Sequence, residues 1–208
     1  MKQKLHWLLP LIFIMACNNN KTEPQDNKPV SEHAAHTTAN SNSYCDSVNS
    51  GLIAEDTLKG SPHRTAMATV NETHVHIEYG SPGVKGRVIW GGLVAYDKVW
   101  VAGAHSATSI QFSKEVEING KKIPAGKYAF FTIPGKDKWT IILNTRYNQH
   151  LADEYNEKED VLRMDVAPEI HDKIQRLTYT VNKTDDQSGE VVMQWERLQV
   201  RLAFNTVK

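Results

Sequence analysis

The chain has 208 residues, 40% of them hydrophobic and 23% charged, with 24 basic and 24 acidic side chains. That profile excludes a fibrous or wholly disordered chain and fits one globular domain. Zero net charge removes the electrostatic footprint of a nucleic-acid binder, and without residues 1–17, which carry Lys2 and Lys4, 22 basic groups face 24 acidic ones, a net −2.

The first seventeen residues run from a basic start (Lys2, Lys4) through an apolar stretch, Leu8 to Met15, to Ala16 and Cys17. This order is that of an export leader and not of a fold element. Ile14-Met15-Ala16-Cys17 also resembles the bacterial lipobox. The resemblance implies a diacylglycerol thioether on Cys17, cleavage before it and acylation of the new amino terminus, palmitate included. Several acyl chains hold a protein stably to a membrane. The expected location is therefore the bacterial cell envelope, with the folded part facing the periplasm or the exterior.

Residues 18–50 are rich in Asn, Ser, Thr, Lys, Pro and Gln and poor in large apolar side chains. Such a segment cannot bury enough surface to fold and is expected to be a flexible tether. His33 and His36, with Cys45 further on, form a weak soft-metal pattern suited to copper or zinc. Cys45 has no disulfide partner once Cys17 is lipidated.

From residue 51 to residue 208 the pattern is one of short strands separated by turn residues. Thr65–Val70 and His74–Tyr79 flank Asn71-Glu72-Thr73 as a hairpin. Strands are then expected over Ser106–Phe112, Glu115–Asn119, Lys127–Ile133, Trp139–Asn144, Asp160–Val166, Gln175–Asn182, Glu190–Glu196 and Leu198–Phe204, with a turn at Gly120-Lys121. Only Asn148–Lys158 has a helical look. About ten strands without alternating helices argue for an all-β fold, an antiparallel, jelly-roll-like β-sandwich with one short helix.

Function is sought in Tyr79–Thr108. Six of the twelve glycines fall there (Gly80, Gly83, Gly86, Gly91, Gly92, Gly103), and such density marks a shaped loop. Lys85, Arg87, Trp90, Tyr96, Trp100 and His105 are the candidate ligand-binding residues. A guanidinium fork grips oxygen pairs while an indole stacks on a ring face, so the ligand expected is small and polar or anionic, saccharides included. The competing reading has Trp90 and Trp100 plugging the core, with Lys85 and Arg87 on its rim.

A family resemblance rests on particular runs: Lys85-Gly86-Arg87, Ile89-Trp90-Gly91, Leu93-Val94, Tyr96, Lys98-Val99-Trp100, Gly103-Ala104 and Ala107-Thr108. It continues through Asn119-Gly120-Lys121, Pro124-Ala125-Gly126, Phe131-Thr132-Ile133-Pro134-Gly135 and Trp139-Thr140. Over roughly Ser61 to Phe204 the chain resembles domain-of-unknown-function family 2911. That implies a small exported bacterial protein, often a lipoprotein, with no established activity. Where relatives commonly carry Arg-Thr-Gly-Ala-Asn-Glu, this chain has Val101-Ala102-Gly103-Ala104-His105-Ser106, which implies a different ligand or binding mode here. His63 is a further departure, inserted in a Ser-Pro-Arg element.

Two other functions compete with binding. His74, His76 and Glu78 share one face of a strand while Val75, Ile77 and Tyr79 enter the core. A metal-dependent hydrolase would hold zinc or copper through His74, His76 and His105, with Glu78 as general base. The plain alternative is one solvated sheet face, which requires just this polar alternation. An envelope scaffold would instead use Tyr79–Thr108 as a flat protein-binding patch. No Gly-x-Ser-x-Gly elbow, His-Glu-x-x-His pair or phosphate loop occurs. Asp153, Glu154, Glu157, Glu159 and Asp160 are expected on a solvated helix face. Binding without catalysis and without a cofactor is the expectation carried forward.

Overall fold

The computed structural model describes residues 43–207. The expected leader, Cys17, His33 and His36 lie outside the described residues. Ten strands follow one another: β1 (His63–Val70), β2 (Thr73–Gly80), β3 (Ser109–Phe112), β4 (Val116–Ile118), β5 (Lys121–Ile123), β6 (Gly126–Ile133), β7 (Trp139–Asn144), β8 (Asp160–Val166), β9 (Glu169–Lys183) and β10 (Ser188–Thr206). They build a six-stranded sheet in the order β1-β2-β3-β6-β7-β8 and a four-stranded sheet in the order β5-β4-β10-β9. All pairings between these strands are antiparallel. The fold is the expected all-β sandwich.

Strand alternation explains the packing. Val75, Ile77 and Tyr79 of β2 point inward with Ile110 and Phe112 of β3 and Tyr128 and Phe130 of β6, and they meet Met193, Trp195, Leu202 and Phe204 of β10. The long β10 was expected as two strands. In β10 the buried set is odd-numbered from Gly189 to Trp195, with Val192 buried as well, and even-numbered from Val200 to Thr206. Register shifts on either side of Glu196, itself at φ 56°, insert the extra residue that flips the faces. At the β4–β5 hairpin the turn is Asn119-Gly120, with φ 50° and 74°, the pair a type I′ turn demands.

Two expectations are corrected. Residues 43–49, assigned to the tether, are helical, and Cys45 and Val48 are buried in the fold. The boundary drawn at Ser50 therefore falls inside structured chain. The helix expected over Asn148–Lys158 is replaced by turns and a single 3-10 turn at Glu157–Glu159. Arg146 draws this segment together, gripping Glu159 with two 2.8 Å hydrogen bonds and Glu154 with a third, while Asp160 accepts from Tyr155, Arg163 and Asn144. Ion pairs within a turn, and not a helix face, place the acidic run.

The outer face of the six-stranded sheet is covered at one end only. Over β6 and β7, a second apolar cluster joins Ala129, Phe131 and Ile142 to Val101 and Ala107, with Ala152 and Tyr155 packed against it. Burial on both faces is why β6 reads as a continuous apolar run. At the other end, over β1, β2 and β3, the face is open and polar.

Candidate functional site

The cleft of interest opens at the boundary between the covered and the open half of that face. It measures about 290 Å³, and its floor is Glu78, Tyr79 and Gly80 of β2, Ser109 of β3 and Lys127 of β6. Ala104, His105, Ser106 and Ala107 form one wall, Tyr147 and Asn148 another, and Ser61 and His63 the rim. Register puts Glu78 opposite Ser109, with Lys127 on the next strand over, so three polar side chains gather on one face.

The wall exists because the backbone lies unusually close there. A Cβ on Gly80 would sit 2.3 Å from the Ala104 carbonyl oxygen, so only glycine admits the loop. Ala102, at φ 49°, turns its carbonyl inward to accept hydrogen bonds from Thr108 (3.1 Å) and from the buried Tyr179 hydroxyl (2.7 Å). His105, at φ 69°, accepts the Leu151 amide through its carbonyl, and Ser106 bridges His150. These bonds tie the two walls to each other.

Glu78 is the hub. Its Oε2 accepts from Lys127 and from Ser109 (3.2 Å), and its Oε1 lies 3.5 Å from His76 Nε2. Burial pushes its carboxyl up, but Lys127, through hydrogen bond and charge, with His76 and Ser109, outweighs that and holds it below the usual glutamate value. Lys127 Nζ also lies 5.4 Å from the centroid of the Tyr147 ring. The cleft thus presents a half-buried carboxylate, an ammonium and an aromatic ring side by side.

Of the six candidate residues, only His105 lines this cleft. Trp90 and Trp100 pack into the core with Trp139 and Trp195: Trp90 stands 5.8, 4.7 and 5.8 Å from Trp100, Trp139 and Trp195, and Trp100 stacks on Trp195 at 5.8 Å. Lys85 donates to the Leu58 carbonyl, and Arg87 to the carbonyls of Gly83 and Val84 (3.2 Å). Tyr96 lies over Gly91, where a Cβ would meet its ring at 2.7 Å. These five side chains shape a loop and share no cleft with His105. The ends of the Tyr79–Thr108 stretch line the cleft, and its middle does not.

The hydrolase ligand set is not assembled. His74 and His76 flank a separate cleft with Glu78, Gln111 and Ser113, whereas His105 lies in the first cleft. Among the described residues, no group of three or more His, Cys, Asp and Glu side chains could hold a metal ion. Lys127 and Tyr147 were missed because nothing local marks them. Lys127 reads as an ordinary strand residue until the β2–β3–β6 register sets it beside Glu78.

The family model described as "Protein of unknown function (DUF2911)" matches residues 61–204, the span that holds the six-stranded sheet, all but the last two residues of β10, and the whole cleft. The chain belongs to this family. No curated protein and no solved structure matches the chain. Membership in DUF2911 therefore fixes kinship and leaves the chemistry to be argued from the cleft.

Proposed function

We propose that this DUF2911 protein is a lipid-anchored, non-catalytic binding domain of the bacterial envelope that holds a small polar or anionic ligand, a sugar or sugar acid, in the cleft around Glu78 and Lys127. The observation that carries this is the half-buried Glu78–Lys127 pair beside the Tyr147 ring, in a space of about 290 Å³. A carboxylate accepts ligand hydroxyls, an ammonium donates to hydroxyl or anionic oxygens, and an aromatic face covers the apolar side of a ring. The volume lies at the small end of ligand pockets, where a single ring fits.

Native mass spectrometry of the purified chain, followed by calorimetric titration with the identified compound, tests the reading. Lys127→Met should weaken binding by about tenfold or more, the loss of one charge-assisted contact. Unchanged retention in Lys127→Met would sink it.

Anchoring rests on the basic, apolar, Ala16-Cys17 order at the start of the chain. Cys17→Ser should move the protein from the salt-washed membrane fraction into the soluble one. Persistence in washed membranes would refute the anchor.

A further inference from the structure

The open half of the sheet face carries a second set of residues that the cleft does not use. Met67 of β1 stands directly opposite His76 of β2, and Thr69 opposite His74. Paired residues in an antiparallel ladder project to the same face with Cβ atoms about 5 Å apart, and diagonal neighbours such as Met67 and His74 remain within reach of long side chains. Met67 is 54% exposed although its neighbours on that face are polar. Core packing does not account for a thioether held out there.

We infer that Met67, His74 and His76 form a surface site for copper(I), with one thioether and two imidazoles as its ligands. The His74 and His76 ring centroids lie 6.3 Å apart. Two imidazoles on one ion, with metal–nitrogen distances of about 2 Å, reach centroid separations of up to about 6 Å, so small side-chain rotations bring both onto one ion. Thr69 Oγ1 stands 3.2 Å from His74 Nδ1, the kind of outer contact that orients a ligating ring and leaves Nε2 outward. His76 Nε2 is 3.5 Å from Glu78 Oε1, too long for a good hydrogen bond, and the cleft of about 230 Å³ beside both rings opens on their β3 side, toward Gln111 and Ser113, so Met67 of β1 closes the opposite side of the site. Thioether sulfur selects soft copper(I), and imidazole suits copper in either state, whereas carboxylate-preferring ions gain nothing from Met67. Lys127 lies in the same row as His76 but two strands away, about 10 Å, and its charge is matched by Glu78. The site requires no residue of the first cleft.

Copper uptake by the untagged chain from bicinchoninate under ascorbate tests this. Wild type should bind one copper(I). Met67→Leu should weaken copper(I) binding about tenfold or more while changing copper(II) binding less than about threefold, because only the reduced ion needs sulfur. His76→Gln should weaken both, and His33→Gln/His36→Gln neither. X-ray absorption of the wild-type complex gives a check independent of the variants: it should show a sulfur scatterer beside nitrogen. No uptake by wild type, equal copper(I) binding in Met67→Leu, loss of binding in the tether variant, or a sulfur-free spectrum would each overturn the assignment.

Discussion

At the scale of single residues, Arg176 is the most committed side chain in the protein. It is fully buried, 2.7 Å from Asp56 Oδ2 through Nε, and its Nη atoms donate to Asp56 Oδ1 and to the carbonyls of Gly60, Ser81 and Leu58. Its backbone exchanges two further bonds with the Asn49 amide. Arg176→Leu leaves the Asp56 carboxylate nearly buried and unpaired, so a loss of about 3–5 kcal/mol is expected from the urea midpoint. Arg176→Lys should recover little, since an ammonium cannot serve acceptors spread around a planar fork. Arg87→Ala, by contrast, removes donors to two loop carbonyls from an exposed side chain, and about 1 kcal/mol is expected. A neutral Arg176→Leu would show that the Asp56 carboxylate does not depend on the guanidinium for its charge balance. Neither role was legible in the sequence: Asp56 is 120 residues away from Arg176, and a buried arginine in a strand looks like any other polar position.

Among the elements, the segment from residue 43 to Gly60 behaves as part of the domain. Cys45 and Val48 are buried, Asp46 pairs with Arg64, and Tyr44 accepts the amides of Thr57 and Leu58. A chain beginning at residue 51 should therefore lose about 2–4 kcal/mol relative to one beginning at residue 43, mostly the apolar burial of two side chains and a helper ion pair. Matching urea midpoints would show the helix to be dispensable. Burial raises the Cys45 thiol above its ordinary value, so dithionitrobenzoate should react with it only after unfolding. The strands themselves were legible because alternation and turn residues are local signals: His74–Tyr79 needs no distant partner to declare its two faces. The helix at 43–49 was not, since its short polar stretch earns no periodicity and its two buried residues are fixed by partners far along the chain. The expected helix at Asn148–Lys158 failed for the opposite reason, good local propensity overridden by the grip of Arg146.

For the molecule as a whole, the sandwich class followed from strand count, but the order β1-β2-β3-β6-β7-β8 did not, because nothing local tells β3 to pair with β6. That pairing creates the Glu78–Lys127 site, so the site was hidden with it. Charge acts at this scale as well. Lys114 holds the Glu72 carboxyl below its ordinary value, as Arg146 does Glu159, Lys138 and Thr140 do Asp165, Gln199 and Arg201 do Glu169, and the amide of Gln187 does Asp185; Glu78 is held down too. A depressed carboxylate stabilises the fold above its unfolded value, 4.5 for Glu and 3.8 for Asp, and the contribution vanishes as pH falls through the lower folded value. The urea midpoint should stay level from about pH 7 to 5 and drop below about pH 4.5, by little per group because most are exposed. A midpoint that stayed level down to about pH 3 would show that these carboxylate contacts add no pH-linked stability.

The packed tryptophans make the protein its own optical reporter. Indoles separated by 4.7 to 5.8 Å, some edge to face and one pair stacked, couple their electronic transitions and exchange excitation. The buried Trp90, Trp139 and Trp195 nitrogens find no acceptor among the described residues, which places their emission at the blue end. The fifth, Trp7, precedes Cys17, so cleavage there would leave every remaining indole inside this one cluster. An exciton couplet in the circular dichroism spectrum would then report on the joint between the two sheets, and unfolding would abolish it while shifting fluorescence to the red.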